Sequence, residues 1–69
     1  MHLHPVTSSF ITHIGHDPAL QELHVKMRSG ETYAYYGVSE EAHADLMSAT
    51  SLGKHYNSHI QGQYEGRKL

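Results

Sequence analysis

Residues 23–36 constrain everything this chain can become. Leu23, Val25 and Met27 alternate with His24 and Lys26, and after Arg28-Ser29-Gly30 the run Thr32–Tyr36 is again rich in β-branched and aromatic side chains. Two such runs split by a Ser-Gly pair read as a β-hairpin. Its register matters most, because a slip of one residue turns every side chain to the opposite face. A two-residue Ser29-Gly30 loop sets Thr32, Ala34 and Tyr36 beside Leu23, Val25 and Met27. A three-residue loop with Gly30 in the left-handed conformation instead pairs Val25 with Tyr33 and Leu23 with Tyr35. The second register is expected. Glycine takes positive φ freely, and two large rings then enter a core that needs them.

The need is plain from composition. Only 13 of the 69 residues are Leu, Ile, Val or Phe, and Trp is absent. A chain this short buries only about 60% of the surface its unfolded form exposes, so tyrosines must fill the interior. In the expected register the opposite face carries His24, Lys26, Arg28, Thr32 and Tyr36, and is polar and basic.

Several classes of protein are excluded or disfavoured. No apolar stretch approaches the ~20 residues of a membrane span, and the start, Met-His-Leu-His-Pro, lacks the pattern of a secretory signal. The absence of Cys removes disulfide frameworks, thiolate zinc sites and cysteine nucleophiles. A cytoplasmic protein without membrane partners is expected, and a chain too small to wall off a dry active site is read as a non-enzyme. Eight histidines are the compositional anomaly. Formal charge is −2 with all of them neutral, and it climbs steeply through the pH range where imidazoles protonate, near 6.5.

The remaining elements follow from local signals. Phe10–His16 reads as a strand ending at the turn pair Asp17-Pro18. Ser39 reads as the N-cap of a helix with Glu40 and Glu41 in its first turn. Ala42, Leu46 and Ala49, with Met47 beside them, form that helix's apolar stripe. Gly53 interrupts it, and a second helix is expected from about Lys54 to about Gln61, with Tyr56 and Ile60 inward. The fold class is therefore α+β: a three-stranded antiparallel meander followed by two helices packed on one face. It forms a single domain, residues 1–69, with its core at about 6–64 and frayed ends at 1–5 and 65–69.

With these elements placed, the strings VTSSFITHIGHD and LHVKMRSGETYAYYGVSEEAHADLMSATSLGKHYNSHIQGQY resemble the KTSC domain. The most telling pieces are Ser8-Ser9, Ile14-Gly15 before Asp17, Ser29-Gly30, Tyr33-x-Tyr35-x-Gly37-Val38, and Ser51-x-Gly53 leading to Tyr56-Asn57-x-x-Ile60. The resemblance spans Val6 to Tyr64. It implies the same meander-plus-helices architecture, and a family of short proteins in bacteria and phages named for a similarity to part of lysyl-tRNA synthetases. That connection implies nucleic-acid binding. His16, Ser39, His43 and His55 depart from the family pattern.

Four constellations invite chemistry. His55 and His59 stand at i, i+4, near enough to share a metal. No further ligand is named by the sequence, so no metal and no cofactor are assigned. Ser8, Ser9, His16 and Asp17 contain the ingredients of a hydrolase triad, but no Gly-x-Ser-x-Gly elbow frames either serine, and no catalytic residue is assigned. Tyr33, Tyr35 and Tyr56 are read as core, while Tyr36 on the open face can stack on a base. Lys54, with Ser51, Gly53 and Asn57 at a helix start, can hold a phosphate.

The expected function is non-enzymatic binding of a phosphate-bearing ligand: RNA, single-stranded DNA or a small nucleotide. Lys26, Arg28, Lys54 and Arg67 supply charge, and Tyr36 supplies a ring. His24, His55 and His59 serve as pH-tuned donors, and Asn57 as a directional hydrogen bonder. An alternative is a phage counter-defence or host-takeover protein that sequesters a nucleotide signal or covers a host protein, as a small dimer or larger homo-oligomer. A third reading is an interaction module whose acidic first helix, with Glu40, Glu41 and Asp45, meets a basic partner.

Overall fold

The computed structural model describes residues 2–69. Five antiparallel strands form one sheet in sequential order: β1 (His4–Pro5), β2 (Ile11–Asp17), β3 (Glu22–Met27), β4 (Thr32–Tyr36) and β5 (Gly66–Lys68). Between β4 and β5 the chain makes α1 (Glu40–Ser48) and α2 (Leu52–His55), and α2 continues into one π-helical turn, Tyr56–Ile60. The α+β class, the central meander and the two helices agree with the expectation. The strand count does not: five replace three.

The central hairpin adopts the three-residue-loop register. Leu23 faces Tyr35 and Val25 faces Tyr33, with Gly30 at φ +98°. The Met27 N–H donates to the Glu31 carbonyl (2.7 Å) and the Gly30 N–H to the Met27 carbonyl (3.0 Å), which locks the turn. On β2 the inward residues Ile11 and Ile14 are three apart, yet they face Met27 and Val25, two apart on β3. One extra residue is accommodated there by a bulge.

One face of the sheet is covered by the helices. Ile11, Ile14, Leu23, Val25, Tyr35, Val38, Leu46, Tyr56 and Ile60 form the core cluster, each buried aliphatic side chain contributing roughly 1.5–3 kcal/mol. Ser39 caps α1, its Oγ accepting from the Ala42 N–H at 3.1 Å. Leu46 is fully buried while Met47 remains 39% exposed, so only part of the expected stripe faces inward. The second helix starts at Leu52 under a Ser51 cap, two residues before the expected start. Its last turn widens so that the Gln61 N–H reaches the Tyr56 carbonyl (2.9 Å).

The rings close the core through a polar contact. Tyr35 and Tyr56 meet edge to face at 5.9 Å between centroids, and their hydroxyls hydrogen-bond at 2.5 Å. Burial first, and then the Tyr35 hydroxyl, push the Tyr56 phenol well above its ordinary value, so it stays neutral. Each hydroxyl satisfies the other. Otherwise both would lie buried without a partner.

The chain ends are not loose as expected. Met1 lies outside the described residues, but His4 pairs with Ile14 and Pro5 with His13; an edge strand tolerates proline. At the other end Gly66 lies opposite Tyr35, Arg67 opposite Ala34, and Lys68 opposite Tyr33. A Cβ on Gly66 would lie 2.6 Å from the Tyr35 ring, so β5 docks because that position has no side chain. Lys68 Nζ meets Glu31 Oε2 at 2.6 Å, an exposed pair that steers more than it stabilises.

Two outcomes follow for stability. Tyr56→Phe should cost about 1–3 kcal/mol by stranding the Tyr35 hydroxyl. The double change Tyr35→Phe with Tyr56→Phe should cost less than the two singles combined, as read in denaturant titrations. Gly66→Ala should detach β5, visible as faster amide exchange at Ala34 and Tyr36, whose N–H groups face that strand, while α1 keeps its protection.

Candidate functional site

The structure sorts eight of the nine expected site residues into three groups and sets Arg28 apart. The first lies on the sheet face away from the helices. Cross-strand pairing sets His24 between Gly15 and Ala34, Ala34 beside Arg67, and Lys26 between His13 and Thr32. Tyr36 shares this face, opposite Glu22. Lys26 and Tyr36 are half-buried and Arg67 is exposed. Among the described residues, neither Lys26 nor Arg67 makes an ion pair. The face is graded: Asp17 and Glu22 mark one end, while His13 and Lys26 stand toward the other. His24 Nε2 lies 3.3 Å from Glu22 Oε1, joining the acidic end to the centre.

Two details of this face lay beyond sequence reasoning. Arg67 was expected to contribute charge from a frayed tail; β5 instead places it in the row of His24. His13 was not singled out as a binding residue. The three-residue spacing of Ile11 and Ile14 inside a strand was the available signal, since the bulge it requires turns His13 to the Lys26 side.

Arg28 does not join Lys26 as a free charge donor. It lies one residue beyond β3, and its guanidinium donates to the carbonyls of Ser9 (3.0 Å, from Nε) and Ser8 (3.1 Å, from an Nη). The strand ends before the alternation can carry Arg28 onto the face, and backbone acceptors are within its reach.

The second group borders a cleft of about 370 Å³ between the 7–10 segment and the 50–57 segment. Lys54 and Asn57 line it, with Thr7, Ser8, Ser9 and Ser51 among their neighbours. Expectation tied this site to a helix N-terminus, and that basis is corrected. The α-helical segment has only four residues, too few for a helix dipole of consequence. The Lys54 N–H is also already directed at Ser51 Oγ (3.4 Å). Side chains, not the helix end, define the cleft.

The third group is His55 and His59, expected to add charge to the Lys54 site. They stand instead on another side of the helix, in a cleft of about 280 Å³ with Asp45, Ile60 and Tyr64. Their ring centroids are 4.4 Å apart. Among the described residues no three histidine, aspartate or glutamate side chains converge in a way that holds a metal ion. The turn from Lys54 to His55 is about 100° of helix, which is why neighbours in sequence open onto different clefts.

A family model for the KTSC domain matches residues 7–64. The chain belongs to the KTSC domain family. A crystal structure of a KTSC domain protein from Yersinia pestis matches it with a TM-score of 0.95 and 41% identity, covering 99% of this chain and 96% of that one. A protein from Tsukamurella paurometabola is 39% identical over 67 residues, 97% of this chain and all of its own length. Another, from Stutzerimonas stutzeri, is 39% identical over 57 residues, 83% of this chain and 80% of that protein. The KTSC match covers β2 to β4 and both helices, while β1 and β5, the strand that carries Arg67, lie outside it. Among the described residues no helix is long and apolar enough to cross a membrane.

A fourth cluster, also of histidines, joins three elements. His16 on β2 stacks on His43 of α1, with centroids 4.6 Å apart and ring planes 11° apart. The His16 Nε2 lies 2.8 Å from the Val38 carbonyl, which requires that nitrogen to carry a proton. Burial, then the nearby His16 and His4, lower the His43 pKa below the usual value near 6.5, and Glu40 opposes them weakly. As pH falls, the unfolded chain therefore takes up this proton first. The contribution to stability is complete above about pH 6.5 and declines below it, through the ordinary histidine range toward the lowered folded-state value. His43→Tyr should flatten this acid decline, measured as melting temperature between neutral and mildly acidic pH.

Proposed function

We propose that this KTSC domain is a non-enzymatic module for a phosphate-bearing ligand, and that a short single-stranded nucleic acid lies across the open sheet face. The observation that supports this is the gathering of Lys26, Arg67, His24, His13 and Tyr36 on one face that the helices leave uncovered. Lys26 and Arg67 come from β3 and β5, on either side of β4, and so present two cations to a strand crossing the face. Tyr36 offers a ring on which a base stacks without regard to sequence. Recognition of this kind suits single strands, whose bases are free to splay onto a sheet. It needs fewer cations than a duplex, in keeping with a formal charge of −2.

Fluorescence anisotropy with labelled RNA and single-stranded DNA oligonucleotides tests the proposal. Binding should weaken with salt, with a log–log slope of about −0.7 for each phosphate neutralised. Lys26→Gln and Arg67→Gln should each make that slope shallower by about one such step. Tyr36→Ala should cost ~1–3 kcal/mol. Absence of binding at low salt and pH 6, or binding that ignores all three substitutions, would refute the sheet-face reading.

A further inference from the structure

We infer that the cleft between the 7–10 and 50–57 segments is a second, independent site, one that takes a phosphomonoester. Its lining contains no Asp or Glu, in a chain with seven of them. What it does contain is donors. Lys54 offers an ammonium, Asn57 an amide, and Thr7, Ser9 and Thr50 offer hydroxyls. Among the described residues the Lys54 ammonium makes no ion pair.

A second cation stands behind the opposite wall. Arg28 holds the Ser8 and Ser9 carbonyls, and both serines line the cleft. Its charge is thereby fixed within a few bonds of their hydroxyls. The Arg28 clasp also holds the 7–10 wall against the sheet, where Arg28 N–H donates to the Phe10 carbonyl at 2.7 Å. The two walls are set by a close approach: a Cβ on Gly53 would lie 2.8 Å from Phe10 Cε1 and 3.5 Å from Ser8 Oγ.

This combination selects a ligand class. Hydroxyl and amide donors flanked by two cations, without a competing carboxylate, match a dianionic oxygen cluster. Phe10 and Leu52 contribute apolar surface beside those donors, which gives an organic group attached to the phosphate something to pack on. The volume, about 370 Å³, lies at the small end of the range for ligand pockets, ~300–1,000 Å³. It accommodates a mononucleotide-sized molecule and not a polymer. The site does not depend on the sheet face, from which it draws none of Lys26, Tyr36 or Arg67.

Heteronuclear NMR on the full chain distinguishes the two sites. Inorganic phosphate, titrated at constant ionic strength, should produce saturable shifts at amides of residues 7–10 and 50–57, with a millimolar Kd. Adenosine monophosphate should bind the same amides more tightly. Lys54→Gln, at an exposed position, should weaken both by about tenfold while leaving the remaining spectrum in place. Arg28→Gln should weaken them as well. The inference is overturned if phosphate shifts nothing in these segments, if adenosine monophosphate binds no better than phosphate, or if Lys54→Gln leaves the affinity unchanged. Shifts confined to His24, Lys26 and Arg67 would likewise remove the cleft and leave the sheet face standing.

Discussion

The stagger of the β3–β4 hairpin is the constraint from which the rest of the structure descends. Gly30 takes a left-handed conformation, the loop closes on three residues, and Tyr35 turns toward Leu23 on the helix side. From there Tyr35 meets Tyr56 in the helical layer, ring against ring and hydroxyl to hydroxyl. The same stagger sets Tyr36 outward beside His24 and Lys26. A one-residue slip of β4 would turn Tyr33 and Tyr35 out of the core and Tyr36 into it. Core and candidate surface are thus two sides of a single choice of register.

Small residues then let the periphery close on that centre. Gly66 lies directly against the Tyr35 ring, and Gly53 against Phe10. Each permits a backbone approach that a methyl group would block, one docking β5 and the other setting the walls of the larger cleft. A domain with so few aliphatic residues relies on these approaches, because the tyrosine and phenylalanine rings need backbone as well as side chains to cover them. The π-helical turn at Tyr56–Ile60 serves the same end, keeping two buried side chains on the sheet while the chain turns back toward β5.

Membership of the KTSC family explains the ordered set of turns, caps and rings and assigns no chemistry by itself. Placed in space, the charged and polar side chains separate into a sheet face bearing Lys26 and Arg67, a hydroxyl-lined cleft bearing Lys54 and Asn57, and a histidine cleft bearing His55 and His59. His16, His43 and His4 form a further cluster at the junction of sheet and helix. The two sites proposed for phosphate-bearing ligands use different residues, so each stands or falls alone.

The chain's own sequence determined what is local. The alternation at Leu23–Met27, the Gly30 turn, the Ser39 cap and the Tyr56–Ile60 pair are all set by neighbours within a few residues, and all are found in the structure. Tertiary structure decided the rest. Strands of two and three residues carry no readable period, so β1 and β5 exist only because β2 and β4 offer partners. Arg28 left the open face because carbonyls distant in sequence, at Ser8 and Ser9, came within its reach. Lys54 and His55 parted because one step along a helix points to a different neighbour. Periodicity and caps are short-range and can be read along the chain, whereas what a side chain meets across the fold depends on long-range pairing that no local pattern encodes.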